Sequence, residues 1–397
     1  MPYRKILLCA DNSAHSNYAA RQTGVLARAF GATVVAVHVY AAGLHDRRFA
    51  DLEPGLPKEY QDPRRLEASR RTHDSLIGQG LQLISDSYLE AVRAQLNGVS
   101  AEGKSLEGKN YLELVRESRN AYDLAVLGAR GLGLASLDGQ CPSGALGSVC
   151  ERFLRQARSD VLVVKDSRPL GGTFLAGVDG SPESYAALRR ALKLAQAVGA
   201  RVEVVSCFDP HFHSVAFQSI AKVLSEKAAQ IFRFKEQEAL HDRIINQGLE
   251  NLYQGHLDNA RIVARGRGQE IETRLLRGKP AYELAHRARE LEPTLLVVAR
   301  FGLHRTDGLD IGSTAETLVR LAPTNILVVN ERGDNPLAWT QEAKERLAKV
   351  PAFMRPMVKK AIESHARARG LLEVTAEVVT AAKTGHGVPL PGHSEKE

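Results

Sequence analysis

Cysteine, long apolar runs and clustered charge are what this 397-residue chain has little of. Its four cysteines, Cys9, Cys141, Cys150 and Cys207, show no Cys-x-x-Cys spacing. Cys9 and Cys207 fall in strand-like apolar runs, so the set reads as buried or free thiols in a reducing compartment. No apolar run approaches the roughly 20 residues that span a bilayer. The start, MPYRKILLCADN, meets Asp11 too soon to hold the apolar region of a signal peptide. These absences predict a cytoplasmic protein with no membrane partner. The net charge of +7 is moderate, and Lys and Arg are scattered rather than gathered into a basic arm with interleaved aromatics, so no nucleic-acid partner is predicted. No Ser-His-Asp, paired-carboxylate or firm metal constellation points to turnover, and binding is the preferred class over enzyme.

What is present is repetition. HDSLIGQGL (73–81) returns as HDRIINQGL (241–249), and ADNSAHSNYAA (10–20) is echoed by VDGSPESYAAL (178–188). Likewise LGSVCERFLRQARSDVLVV returns as IGSTAETLVRLAPTNILVV. A repeat of this length is a duplicated domain, because solenoid units are several times shorter. The division expected is 1–167 for one copy, 168–332 for the second, 333–385 for a C-terminal module and 386–397 for a disordered tail. With 44% hydrophobic residues the chain has room for two or three cores.

Each copy alternates short Val/Leu/Ile runs with helical stretches. KILLCA, TVVAVHVY, DLAVLGA and DVLVV read as strands in the first copy, with a weak strand near Val99–Leu106. TFLAGV, RVEVVSC, EIETRLL, TLLVVA and NILVV do so in the second. Continuous apolar strands separated by helices imply a parallel sheet covered on both faces. The fold class is therefore α/β, two tandem doubly wound, Rossmann-like domains plus a small helical module. Ligands of such sheets lie outside the carboxyl ends of the strands, where strand order reverses.

The loops at those ends carry the candidate chemistry. In the second copy Ala299-Arg300-Phe301-Gly302 precedes nine residues and then Gly312-Ser313-Thr314, which opens a helix. Glycines at such a turn let backbone N–H groups approach an anion, and the helix N-terminus favours negative charge. Arg300, His304 and Arg305 stand ready to neutralise a phosphate, and Asp179 to accept from a ribose or base. The first copy offers Asp11, Gly128, Gly131, Gly147 and Ser148, but fifteen residues separate Gly131 from Gly147. The six extra residues surround Pro142.

Asp after the first strand, G-x-x-G, nine residues, then G-[ST], closing on NILVV or DVLVV, resembles the universal stress protein family, in both copies from end to end. The resemblance implies an α/β nucleotide-binding fold, dimers or tandem pairs, and ATP as ligand where the glycine motif is kept. Carried over, it implies ATP contacts at Asp179, Gly302, Gly312, Ser313 and Thr314, and at Asp11, Gly128, Gly131, Gly147 and Ser148. Ala299 replaces the usual first glycine, and the first copy departs in spacing, so the second site is expected to be the tighter. The copies are expected to pair within the chain as a pseudo-dimer, with the His-Asp helices near the pseudo-two-fold axis or bordering the interface; association of whole chains as a homodimer stays open.

Three further signals compete with blander explanations. GVSAEGKS (98–105) fits a P-loop pattern, but helix precedes it and none follows, so Gly98 reads as a helix C-terminal glycine. His73 and His241 read as polar contacts on amphipathic helices, with a paired metal or regulatory site as the alternative. Cys207, Asp209, His211 and His213 could surround a metal, but no metal is expected.

After Asn330 the composition shifts. ERGDNP is a linker, and Thr340 and Thr375 are positioned to cap helices. Phe353, Met357 and Ala361, with Met354, Val358 and Ile362, make an apolar face on a helix between them, which Gly370 ends. RLAKVPAFMRPMVKKAIE, ARARG and EVTAEVV resemble the small C-terminal domain of the light-independent protochlorophyllide reductase B subunit. That implies a helical module covering a site or a partner, without reductase chemistry. Its low apolar content predicts docking onto another surface. The function expected is an ATP-binding regulatory protein of a stress or energy-state response, working through partners. The alternatives are a slow ATPase, an accessory protein of a redox or tetrapyrrole system, and a scaffold with dead nucleotide sites.

Overall fold

A computed structural model describes residues 3–43, 51–135, 144–210, 246–303, 310–330, 337–351, 355–368, 371 and 373–385. Each copy contributes five strands. In the first these are β1 (Lys5–Cys9), β2 (Thr33–Tyr40), β3 (Ala101–Glu107), β4 (Leu124–Gly128) and β5 (Asp160–Val164). In the second they are β6 (Thr173–Gly177), β7 (Arg201–Phe208), β8 (Glu272–Arg277), β9 (Leu295–Ala299) and β10 (Asn325–Val329). All ten join one sheet in the order β3-β2-β1-β4-β5-β10-β9-β6-β7-β8. Pairing is parallel within each half; β5 and β10 meet antiparallel, with Val163 opposite Ile326 and Leu162 opposite Leu327. Every residue of β5 and β10 is buried, so the seam between the copies is core, not surface.

The first-copy helices are α1 (Ala14–Phe30), α2 (Pro63–Gln95), α3 (Asn110–Glu117), α4 (Leu132–Ala135) and α5 (Ser148–Gln156). Those of the second are α6 (Pro182–Val198), α7 (Asn246–Arg265), α8 (Pro280–Leu291) and α9 (Ser313–Leu321). Local chemistry sets their ends. Ser13 and Ser181 cap α1 and α6 by accepting from Ser16 and Ser184 N–H, and both helices stop at a left-handed glycine, Gly31 and Gly199. Apolar layers on the two sheet faces each run through both halves; Tyr3, Phe174 and Tyr185 fill one, Phe153 the other. Fully burying such side chains contributes about 1.5–3 kcal/mol apiece.

The His-Asp helix corrects one expectation. α2 packs on β2 and β3, the outer end of its half of the sheet, not on the seam. His241 and Asp242 lie outside the described residues, as do His211, His213, His304, Arg305, Pro142, the linker and the tail. The P-loop match dissolves here too. Gly103, Lys104 and Ser105 belong to edge strand β3, and Lys104 pairs with Glu117 at 2.6 Å.

The C-terminal module comprises β11 (Ala338–Trp339), α10 (Gln341–Ala348), α11 (Arg355–Ala368), β12 (Glu373–Val374) and α12 (Ala376–Gly385). Thr340 caps α10 by accepting from Ala343 N–H at 3.2 Å, and Thr375 accepts from Val378 N–H at 3.4 Å. Phe353, Met354 and Gly370 lie outside the described residues. Where low apolar content predicted reliance on another surface, the module has a core of its own: Ala343, Val350, Val358, Ile362, Ala366, Val374, Val379 and Ala382. The short parallel pair β11–β12, which sequence reasoning missed, closes that core.

Candidate functional site

The strand order places β1 beside β4 and β6 beside β9, and chain direction across the sheet reverses at those pairs. At each switch point a cleft opens, of about 570 Å³ in the first copy and about 360 Å³ in the second. Both volumes suit a small ligand. The first cleft is lined by Asp11, Gly128, Gly131, Gly147 and Ser148, the second by Asp179, Gly302, Gly312, Ser313 and Thr314. The structure thus brings these five residues of each copy to one place, while His304 and Arg305 lie outside the described residues.

Within each cleft the aspartate fastens the glycine loop. Asp11 Oδ1 accepts from Ser13 N–H at 3.0 Å and Oδ2 from Leu132 N–H at 3.3 Å. Asp179 repeats this with Ser181 N–H at 3.0 Å and Leu303 N–H at 2.8 Å. Ser181 Oγ adds a further bond at 2.5 Å. A Cβ at Gly131 or Gly302 would collide with that carboxylate, so these glycines are required by the aspartate's close approach. The carboxylate read as a ribose or base acceptor is also a latch between the first strand and the loop.

The far wall of each cleft is a helix start. Gly147 and Gly312 are the N-caps of α5 and α9, both extended and without a side-chain cap bond. Their own N–H groups donate at 2.8 Å to Ala129 and Arg300 carbonyls, which pins each helix start to the glycine loop. First-turn N–H groups have no partner within the helix, so this end suits an anion.

Arg300 overturns its assigned role as a phosphate neutraliser. Only 5% exposed, it donates to the carbonyls of Asp310 (2.7 Å), Ala157 (2.7 Å) and Arg155 (2.5 Å), the last two in the other copy. Around it the seam is reciprocal. Arg155 pairs with Glu316, and the repeat-related Arg320 pairs with Glu151. Asn330 N–H reaches Asp160 Oδ1 at 2.9 Å, and Lys165 N–H reaches Asn325 Oδ1 at 2.9 Å.

Sequence reasoning missed several cleft residues, Tyr253 and His38 among them. Tyr253 of α7 lines the second cleft. His38 of β2 lines the first; its Nδ1 lies 2.8 Å from Ser85 Oγ, which donates to Ser105 Oγ, which donates to Asp86 Oδ1, each at 2.8 Å. With a carboxylate at the end, each hydroxyl proton points towards Asp86, so Nδ1 carries the imidazole proton and Nε2 is an acceptor. Burial lowers the His38 pKa against the opposing charge of Asp11. The available signal was a polar residue amid the apolar run TVVAVHVY. Among the described residues the thiols are held unreactive by burial: Cys9, Cys150 and Cys207 are free and buried, and burial pushes Cys150 and Cys207 up to about 12. Among the described residues no helix is long and apolar enough to cross a membrane.

A fold of this kind, with mirrored clefts at the two switch points of one shared sheet, defines a tandem pair of doubly wound α/β domains. The sequence profile of the universal stress protein family matches residues 2–165 and again 172–330, and the chain belongs to that family. Among solved structures it is similar to a universal stress protein from Archaeoglobus fulgidus DSM 4304, at 15% identity and a TM-score of 0.52, covering 82% of this chain and 97% of that one. It is also similar to a universal stress protein solved in complex with cAMP, at 25% identity and a TM-score of 0.26, covering 40% of this chain and 96% of that one. Residues 339–383 match the profile described as proto-chlorophyllide reductase 57 kD subunit. A related curated protein is the light-independent protochlorophyllide reductase B subunit of Synechococcus sp. (strain JA-3-3Ab), 52% identical over 54 residues. That stretch is 14% of this chain and 11% of the relative, so the chain spans about a tenth of that relative's length.

Proposed function

We propose that this protein binds ATP or a related nucleotide in its two clefts, through Asp179, Gly302, Gly312, Ser313 and Thr314 in the second and Asp11, Gly128, Gly131, Gly147 and Ser148 in the first, and acts as a regulatory protein through partners. The observation that carries the reading is the pair of glycine-capped helix starts, α5 and α9, each facing a cleft at a switch point. A phosphate there gains roughly 0.3–2 kcal/mol from the helix end alone, before any hydroxyl or N–H contact. Ser313 and Thr314 add two hydroxyls in the second cleft, where the first has Ser148 and Val149. The nine-residue spacing from Gly302 to Gly312 lets one loop present both glycines to the same phosphates, so the second cleft is the tighter. The C-terminal module, with its separate core, is the part offered to a protein partner.

Titration with a fluorescent ATP analogue tests this. A Cβ at Gly312 would stand 3.0 Å from the Arg300 carbonyl, whereas one at Gly147 would find its nearest neighbours at 3.4 Å. Gly312→Val is expected to weaken second-cleft binding by at least about 100-fold, or roughly 2.7 kcal/mol. Gly147→Val should cost the first cleft less. Greater damage from Gly147→Val would reverse the ranking, and absence of any binding in the unaltered chain would sink the reading. ATP recovered intact after long incubation counts against a hydrolase.

A further inference from the structure

Helix α5 has one end in each copy's chemistry. Its start, Gly147-Ser148, lines the first cleft. Its last carbonyls, those of Arg155 and Ala157, accept the guanidinium of Arg300, which belongs to the glycine loop of the second cleft. Arg300 also binds the Asp310 carbonyl with Nε, and its own carbonyl takes the Gly312 N–H. Arg155 returns the contact, pairing with Asp310 and Glu316 beside the start of α9. Both walls of the second cleft are thereby fastened to the end of a helix whose other end is the anion seat of the first.

The arginine tie is made from one side only. Gly147 N–H donates to Ala129 O as Gly312 N–H donates to Arg300 O, so Ala129 is the first copy's counterpart of Arg300. A methyl group cannot reach across the seam. The carbonyl equivalent to that of Ala157 is Ala322 O, and it accepts instead from Lys165 Nζ at 2.6 Å, a residue outside the glycine loop. The two halves thus cap each other's helices with different cations, and only in the second does the cation belong to the ligand loop.

We propose that Arg300 is a positioning residue that couples the two clefts, so that nucleotide in the first cleft orders the glycine loop of the second. This rests on the nucleotide reading above. A phosphate at the start of α5 fixes the helix, and its end carbonyls then hold Arg300, and with it Ala299–Gly302, in one arrangement. The ordering cost is met once and shared, which makes the coupling positive and reciprocal.

Second-cleft affinity for the fluorescent ATP analogue is measured with the first cleft open and with it disabled by Gly131→Val, whose Cβ would collide with the Asp11 carboxylate, in Arg300 and Arg300→Ala backgrounds. Alanine is the first copy's residue at this position. With Arg300 present, disabling the first cleft should weaken the second on the order of fivefold. With Arg300→Ala the same loss should change nothing. A parallel measurement needs no change at Arg300. In Gly312→Val, nucleotide added to the first cleft should slow hydrogen exchange at the Leu303 amide, across the seam. If disabling the first cleft leaves second-cleft affinity unchanged, or the Leu303 amide does not respond, the clefts are independent and the coupling is wrong while the nucleotide reading stands. Absence of nucleotide binding in the unaltered chain overturns both.

Discussion

Arg300 shows how a residue can be correctly located from sequence and yet misassigned in role, and Asp179 how a residue gains a structural role beside the one expected of it. Both were legible as members of one loop cluster, because the glycine spacing and the strand ends fix where the loops lie. Which way a side chain turns was not legible. A carboxylate beside a glycine loop has acceptor capacity for a ligand and a loop amide together, and the 2.8 Å bond to Leu303 N–H adds the latch to the expected role. An arginine beside a phosphate seat faces the ligand unless something outside the copy offers better acceptors, as the end of α5 does. The latch predicts that Asp179→Asn, which keeps the shape but removes the charge, loosens the loop. Charge-assisted bonds are about twice as strong as neutral ones, so the Leu303 amide should exchange on the order of tenfold faster. Unchanged protection would show that the loop is held by other contacts.

At the scale of elements, the strands and the caps were the legible part. Apolar runs of Val, Leu and Ile mark the buried strands, and Ser13, Gly31, Ser181 and Gly199 mark the ends of α1 and α6. The site of α2 on β2 and β3 was not legible, because helical periodicity tells which face is buried and not what buries it. The junction of β5 with α9 gives a pH prediction. Lys165 at the end of β5 caps α9 through Ala322 O; burial lowers its pKa to about 8, and Arg130 pushes the same way. Between about pH 8 and its ordinary value of 10.5 the folded chain has released this proton while the unfolded chain still holds it. The unfolded state binds more protons across that window, so this group makes stability rise with pH there. Urea unfolding of the unaltered chain and of Lys165→Met at pH 8 and pH 10 isolates the effect. The rise should be smaller in Lys165→Met, and an identical slope in the two would contradict the burial of the charge.

For the whole molecule, the duplication was legible but the way the copies meet was not, since β5 and β10 look like any other buried strands in the sequence. Their antiparallel pairing makes one sheet of ten, and the apolar layers continue across it. Such a seam should unfold with the halves in one cooperative transition rather than as two domains in turn. The flanking ion pairs offer a way to strain it from outside. Arg155, Glu316, Arg320 and Glu151 are between 34% and 39% exposed, so each pair contributes at most about 1 kcal/mol. Reversing both arginines, Arg155→Glu with Arg320→Glu, removes two attractions and sets each new carboxylate against Glu316 or Glu151. The expected loss is about 1–3 kcal/mol in urea unfolding. Reversing the acids as well, Glu151→Arg with Glu316→Arg, restores the sign pattern and should recover most of that loss, short of the part due to Asp310, which still faces residue 155. A fourfold variant no more stable than the double variant would mean that the pairs are not energetically linked across the seam. Separate transitions for residues 3–164 and residues 173–329, read by hydrogen exchange of their strands, would mean that the shared sheet does not bind the copies into one folding unit.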